Sequence, residues 1–408
     1  MKSPTLKLIL SAALLCTGVA NAVAEGKPLQ VFILAGQSNM QGHAKISTME
    51  SMRLNPETAT ILKDLRNPDG TPRVCERVWI SSIGSSDAER TGRLTAGFGA
   101  DPNGSKIGPE FSFGVGMEKR VDGPILLIKT SWGGKSLNTD FRPPGGGAYE
   151  FNETQIENFK KQGKDLDKLK AEKAEETGRY YRLMMDQVKS VLADPKRVCP
   201  EYDPKAGVEL AGFVWFQGWN DMVDGGTYAH RDQPGGYDLY ARLMAQFIRD
   251  VRKDLEAPKL PFVIGVMGAG GPTDQYGPDK RRYLATHQNF RDAMAAPAAL
   301  PEFQGDVAAV LTEKYWDMEL EALRAKEKTI KPKADEIQAA MKERKMSKEE
   351  GQKALDQLYT GTFTATELEI LRDSVSNAEF HYLGSARIMT RIGKAFADAM
   401  AGMLKPRD

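Results

Sequence analysis

Five short apolar runs recur along the chain, at residues 30–35, 124–129, 212–216, 261–266 and 306–311. Most are continuous rather than alternating, the pattern of strands covered on both faces in a parallel sheet. Between them the apolar positions change to helical spacing. Residues 237–255 place Leu239, Leu243, Phe247 and Val251 on one stripe, and residues 384–404 do the same with Ile388, Ile392, Phe396 and Met400. Residues 179–193 and 281–295 read similarly. Alternating strands and helices predict an α/β class with a parallel sheet. Two stretches break the rhythm. Residues 45–120 are rich in Gly, Pro, Asn and Asp and predict long surface loops with short elements. Residues 314–370 are helix formers and charges, a charged helical insertion that Pro332 should interrupt; it reads as a solvated hairpin, with a lid or partner surface the lesser alternative.

Composition narrows the function classes. The 408 residues carry a formal net charge of +1, with 41% hydrophobic and 27% charged side chains. No basic excess exists to neutralise phosphates, so nucleic acid is not an expected partner. The start reads as an export signal over residues 1–24. Lys2 and Lys7 precede an apolar run at 8–20, and Ala20-Asn21-Ala22 and Ala22-Val23-Ala24 are small-x-small cleavage sites. Leu14 and Leu15 before Cys16 argue against a lipoprotein. The expected product is periplasmic or secreted, with no membrane span after cleavage. The rest, 25–408, reads as a single domain with its insertion. Cys75 and Cys199 then remain, either a disulfide or two separate buried thiols.

Ligands in open parallel sheets bind beyond the carboxyl ends of the strands. There the chain places Gly36-Gln37-Ser38-Asn39-Met40, Thr130-Ser131-Trp132-Gly133-Gly134-Lys135-Ser136, Gln217-Gly218-Trp219-Asn220-Asp221 and Gly268-Ala269-Gly270-Gly271; Asn377-Ala378-Glu379-Phe380-His381 precedes the last helix. Ester hydrolysis needs a hydroxyl nucleophile, a base and donors for the oxyanion. Ser38 offers the hydroxyl and its own N–H. Gly134 offers a backbone N–H that can be approached closely, Asn220 an amide, and His381 the base. The chain has 4 histidines. His287 falls in a helical pattern and His230 in an exposed loop. His43 lies near Ser38 but faces away if that segment is helical. Met40 stands where a nucleophile elbow needs its second glycine, which removes the commonest serine-hydrolase motif. Gly268, Gly270 and Gly271 lack dinucleotide-binding spacing.

These blocks resemble the SGNH hydrolase superfamily, and within it the sialate O-acetylesterase-like carbohydrate esterases. "GQSNM" would supply Ser38. "SWGGKS" would supply the oxyanion glycine, Gly134 with Gly133 as the alternative, and "QGWND" would supply Asn220. "GPEFSFG", containing Glu110, is similar to another segment of these enzymes. The resemblance implies a three-layer, flavodoxin-like fold and removal of acetyl groups from sugars without a metal or other cofactor. One position departs: Ala378 stands where the superfamily has an aspartate three residues before the histidine. The backbone carbonyl of Ala378 is the first candidate to orient His381, with Asn377, Glu379, Glu110 and Asp373 as alternatives. Asp221 is expected to brace the serine loop. Trp132, Trp219 and Tyr382 are candidate sugar-stacking residues, and Arg142 a candidate contact for an acidic sugar. An unperturbed histidine titrates near pH 6.5, so activity is expected to fall below about that value. A non-catalytic sugar-binding protein and a lipase or thioesterase of the same superfamily are the competing readings.

Overall fold

Each of the five apolar runs becomes a strand of one sheet. The computed structural model describes residues 26–84 and 88–404. Its strands are β1 (Leu29–Gly36), β2 (Ala44–Lys45), β3 (Val78–Ile83), β4 (Arg90–Arg93), β5 (Lys106–Ile107), β6 (Ile125–Ser131), β7 (Val208–Phe216), β8 (Phe262–Val266) and β9 (Val307–Leu311). The main sheet runs β4-β3-β6-β1-β7-β8-β9, and β2 pairs with β5 alone. All neighbours in the main sheet are parallel except β3 and β4.

Both faces of the sheet are covered, which is why the strand sequences are apolar throughout. In β1, Val31, Ile33 and Ala35 enter one core and Phe32 and Leu34 the other. The first core is closed by helices Arg179–Ala193, Asp238–Asp254 and Leu284–Ala295, and the second by Pro109–Glu118 and Ala386–Leu404. The stripe Ile388, Ile392, Phe396 and Met400 is fully buried in that second core. The architecture is the three-layer α/β sandwich that the sequence pattern and the resemblance imply.

Connections leave β1 toward β3 on one side, while the chain after β6 crosses to β7 on the other. β1 is therefore the switch point, where the loops after β1, β6 and β7 open a crevice at the carboxyl edge.

Two expectations need correction, and the open question of the cysteine pair is answered. Residues 45–120 are not mainly loops. They hold β3 and β4, the helix Pro56–Leu65 and the fully buried helix Pro109–Glu118. Pro332 does not interrupt the insertion, because a single helix runs Met318–Lys342. Proline's fixed φ suits a helix. The hydrogen bond it forfeits lies on an exposed stretch, where the freed carbonyl is open to solvent. Leu320, Leu323 and Ala334 on this helix are buried, and that packing offsets the loss. Helices Lys348–Thr362 and Ala365–Asp373 complete the insertion. Cys75 and Cys199 are free, buried in cores on opposite faces of the sheet. Burial pushes their thiols up, to about 12 for Cys75 and about 11 for Cys199. The export signal at residues 1–24 lies outside the described residues. Among the described residues no helix is long and apolar enough to cross a membrane.

Candidate active site

β1 ends in Gly36, where a side chain is excluded. A Cβ there would stand 2.2 Å from the Phe216 carbonyl oxygen at the end of β7. This close approach brings the next residue, Gln37, under the β7 loop. Its Oε1 accepts from the Gly218 N–H at 3.0 Å and from Gln217 Nε2 at 3.2 Å. Its Nε2 donates to Asn220 Oδ1 at 3.0 Å and approaches Ser38 Oγ at 3.4 Å. One buried amide thus locks the serine loop to the asparagine loop. Because Asn220 Oδ1 is taken, the donor end of its amide is the Nδ2–H2 group.

Ser38 opens a single helical turn, Ser38–Gln41, and its own N–H is one of the donors such a turn leaves unused. Across from it, a Cβ on Gly133 would lie 3.9 Å from Ser38 Cβ, whereas one on Gly134 would meet nothing within 4 Å. The glycine that borders the serine is therefore Gly133, the alternative of the two. Gly134 follows in the left-handed region, at φ 73°.

The turn Glu379–Gly384 packs against Ser38–Gln41. It is strained: Tyr382 and Leu383 hold φ of 53° and 60°, values that bulky side chains avoid. Such strain persists only where surroundings over-determine it. Here Tyr382 is fully buried, its Oη accepting from the Gly268 N–H at 2.8 Å and bonded to Thr312 Oγ1 at 2.7 Å. The Leu383 carbonyl folds back to accept the N–H groups of Ser376 and Asn377, each at 2.9 Å.

That fold places Asn377 beneath the catalytic candidate. Asn377 Oδ1 lies 2.9 Å from His381 Nδ1 and accepts the Ala378 N–H at 2.8 Å. The backbone donor fixes which end of the amide faces the ring. Since an oxygen faces Nδ1, Nδ1 carries the proton and Nε2 is the free base. The Ala378 carbonyl, the first candidate for this role, is instead spent on the N–H groups of His381 and Leu383, at 3.0 and 3.1 Å. Glu379 turns away to Lys280, at 2.9 Å. Asp373 pairs with its neighbour Arg372 at 2.8 Å. Glu110 is fully buried 2.7 Å from Lys129 Nζ, which also donates to the Gln41 and Phe98 carbonyls at 2.8 Å each. It supports the end of the serine turn from below. Asp221 braces chiefly the β6 loop, accepting the N–H groups of Leu137 and Asn138 at 2.7 and 3.0 Å. It reaches the serine loop only through Gln217, whose Nε2 lies 2.6 Å from Asp221 Oδ2. Burial pushes the Asp221 carboxyl up to about 6, against those donors.

His43 is the residue that the sequence reading set aside. The helical turn stops at Gln41, and Gly42 at φ 84° reverses the chain, so His43 comes back beside the site. Its ring stacks on His381, centroids 3.8 Å apart and planes 2° apart. Ser376 ties the two segments, donating to the Gly384 carbonyl at 2.6 Å and accepting the Lys45 N–H at 3.1 Å. Burial holds His381 down to about 4, with Lys106 adding repulsion, and holds His43 down to about 3, with His381, Lys106 and Lys129 adding theirs. Both rings are neutral near pH 7. No hydrogen bond joins Ser38 Oγ to either ring among the described residues; apo catalytic contacts are often long and tighten only around substrate.

Of the remaining candidates, Trp132 packs on Phe141 and Tyr180, and Tyr382 is core. The Arg142 guanidinium is buried and donates to the carbonyls of Asn138, Gly146, Gly147 and Ala148. It is a loop staple and has no donor left for a sugar. Gln37, though within the quoted serine block, was assigned no role. Its position between a strand-ending glycine and the serine was the available signal.

The model of a family described as carbohydrate esterase, sialic acid-specific acetylesterase, matches residues 28–306. The match spans Ser38, Gly133 and Asn220 and ends before His381. No curated protein matches. Among solved structures, a protein from Arabidopsis thaliana is 17% identical with a TM-score of 0.37, the alignment covering 70% of this chain and 86% of that one. A carbohydrate acetylesterase from Xanthomonas citri is 15% identical with a TM-score of 0.36, covering 69% of this chain and 49% of that one.

Proposed function

Because this chain belongs to the carbohydrate esterase family of sialic acid-specific acetylesterases, we propose that it removes O-acetyl groups from carbohydrates through an acetyl-serine intermediate. Ser38 Oγ attacks the acetyl carbonyl carbon while His381 Nε2 takes the hydroxyl proton. The N–H groups of Ser38 and of Gly133 or Gly134, with the Asn220 amide, receive the oxyanion. Collapse of the tetrahedral intermediate breaks the C–O bond to the sugar, whose oxygen takes the proton from the imidazolium. Water then attacks the acetyl-serine carbonyl carbon, His381 accepting its proton and passing it to Ser38 Oγ as the bond from that oxygen to the acetyl carbon breaks, and acetate leaves. The exported location read from residues 1–24, periplasmic or secreted, belongs to the same proposal.

The observation that supports this reading is the double use of Asn377 Oδ1, which accepts the Ala378 N–H and faces His381 Nδ1, so that Nε2 is left as the base in a turn that packs against the serine turn. Acetate release from an O-acetylated sugar by the purified chain, compared with Ser38→Ala, tests it. Equal release by both proteins rejects it.

Burial of the imidazole sets the pH dependence. Only the unprotonated imidazole is a base, and burial holds His381 down to about 4. Activity should stay level as pH falls through 6.5 and decline only as it nears about 4, which revises the expectation drawn from an unperturbed histidine. In Asn377→Asp a carboxylate beside Nδ1 favours the imidazolium and raises the histidine pKa by about 1–3 units. The acid limb of kcat/KM should move upward by that amount. A wild-type limb near 6.5, or one unmoved in Asn377→Asp, removes His381 from the role of base.

A further inference from the structure

One aromatic candidate, Trp219, stays at the mouth of the site, and it has a partner the sequence did not announce. Trp219 and Phe380 lie on different loops and meet with ring centroids 5.5 Å apart and planes tilted by 38°. Each directly precedes a residue of the proposed chemistry, Asn220 in one case and His381 in the other. The Phe380 ring also stands 4.4 Å from the His381 ring, edge to face. A lone exposed phenylalanine means little. Phe380, 39% exposed, is instead half of a two-ring surface bordering the reacting groups. Trp219 is partly buried against both cores, so its position is fixed by packing. Its Nε1–H donates to no protein group among the described residues.

We propose that Trp219 and Phe380 form a platform for the pyranose ring that bears the acetyl group. This deepens the esterase reading and rests on it. A pyranose presents a face of C–H groups, which packs on aromatic rings, and a rim of hydroxyls, one of which accepts the free indole N–H. Aromatic side chains with a polar tip suit such a ligand, apolar on one side and wet on the other. With the ring seated there, an acetyl group on its edge falls between Ser38 and the Asn220 amide. The platform gives the enzyme its preference for acetylated sugars over acyclic acetates.

The test compares a mono-O-acetylated methyl glucoside and methyl sialoside with triacetin, an acetate ester without a ring. In Phe380→Ala and Trp219→Ala, folding checked by thermal melting, the ratio of kcat/KM for the preferred glycoside to that for triacetin should drop about tenfold or more. An unchanged ratio in both variants overturns the platform. A second arm does not need turnover. The same glycosides are titrated into Ser38→Ala and into Ser38→Ala/Phe380→Ala and followed by indole fluorescence. Weaker binding in the double variant supports the platform even if wild type hydrolyses nothing, in which case only the esterase reading fails. Equal binding overturns the platform whatever the catalytic result.

Discussion

Ser38→Ala is expected to lower kcat on an O-acetylated sugar by at least about 10⁴-fold, with KM changed little. The nucleophile is the one group whose removal ends acetyl transfer, and serine hydrolases stripped of it keep only what oxyanion donors and binding supply. The fold should not notice the change. The Ser38 hydroxyl makes one long contact, 3.4 Å from Gln37 Nε2, and that amide keeps its better bond to Asn220. Thermal melting should therefore place the variant within about 1 kcal/mol of wild type. A folded variant retaining a tenth or more of the activity would remove Ser38 from the mechanism.

Lys129→Met should unsettle the molecule as severely as Ser38→Ala disables it. Lys129 and Glu110 are 1% and 0% exposed and 2.7 Å apart. Burial pulls the lysine pKa down, and the charge of Glu110 opposes the fall. Deleting one partner of a buried pair leaves the other uncompensated, at about 3–5 kcal/mol. It also frees the Gln41 and Phe98 carbonyls that Lys129 satisfies. Because Gln41 ends the Ser38 turn, activity should fall with stability. Adding Glu110→Gln removes the orphaned charge, so the double variant should regain part of the loss in urea titration. A single variant as stable as wild type would show that the pair does not hold the serine turn.

The five central strands were legible because both faces of each are buried, which writes an uninterrupted apolar run. The last helix was legible because one face meets a core and the other meets water. Helix Pro109–Glu118 was not. It is buried on every side and so carries no stripe, and its glycines read as loop. Those glycines buy close packing: a Cβ on Gly116 would sit 2.8 Å from Ala397 Cβ, and Gly393 opposite allows the Pro109 carbonyl to approach. β3 was hidden by its polar end, Ser81 and Ser82.

Within the site, Ser38, Asn220 and His381 followed from where polar clusters fall relative to strands. Asn377 stood among several alternatives. Choosing it required the Leu383 carbonyl to fold the chain back, a contact inside a strained turn that spacing does not encode. His43 was misjudged for a simpler reason. Its facing away depended on the segment staying helical, and Gly42, whose φ of 84° ends the turn and whose Cβ would collide with Gly108, prevents that. The absent aspartate at position 378 makes a protein that binds sugar without cleaving it a competing reading to the esterase. Asn377 answers that objection, since a neutral acceptor also fixes the imidazole tautomer, at the cost of a less basic ring.

The most direct measurement of the central claim is the site of covalent capture. The purified protein is treated with a fluorophosphonate, digested, and its peptides mapped by mass. The account predicts one adduct, on Ser38, formed in step with loss of esterase activity and strongly slowed in His381→Ala. An adduct on another serine, or complete inactivation with Ser38 unmodified, would contradict it.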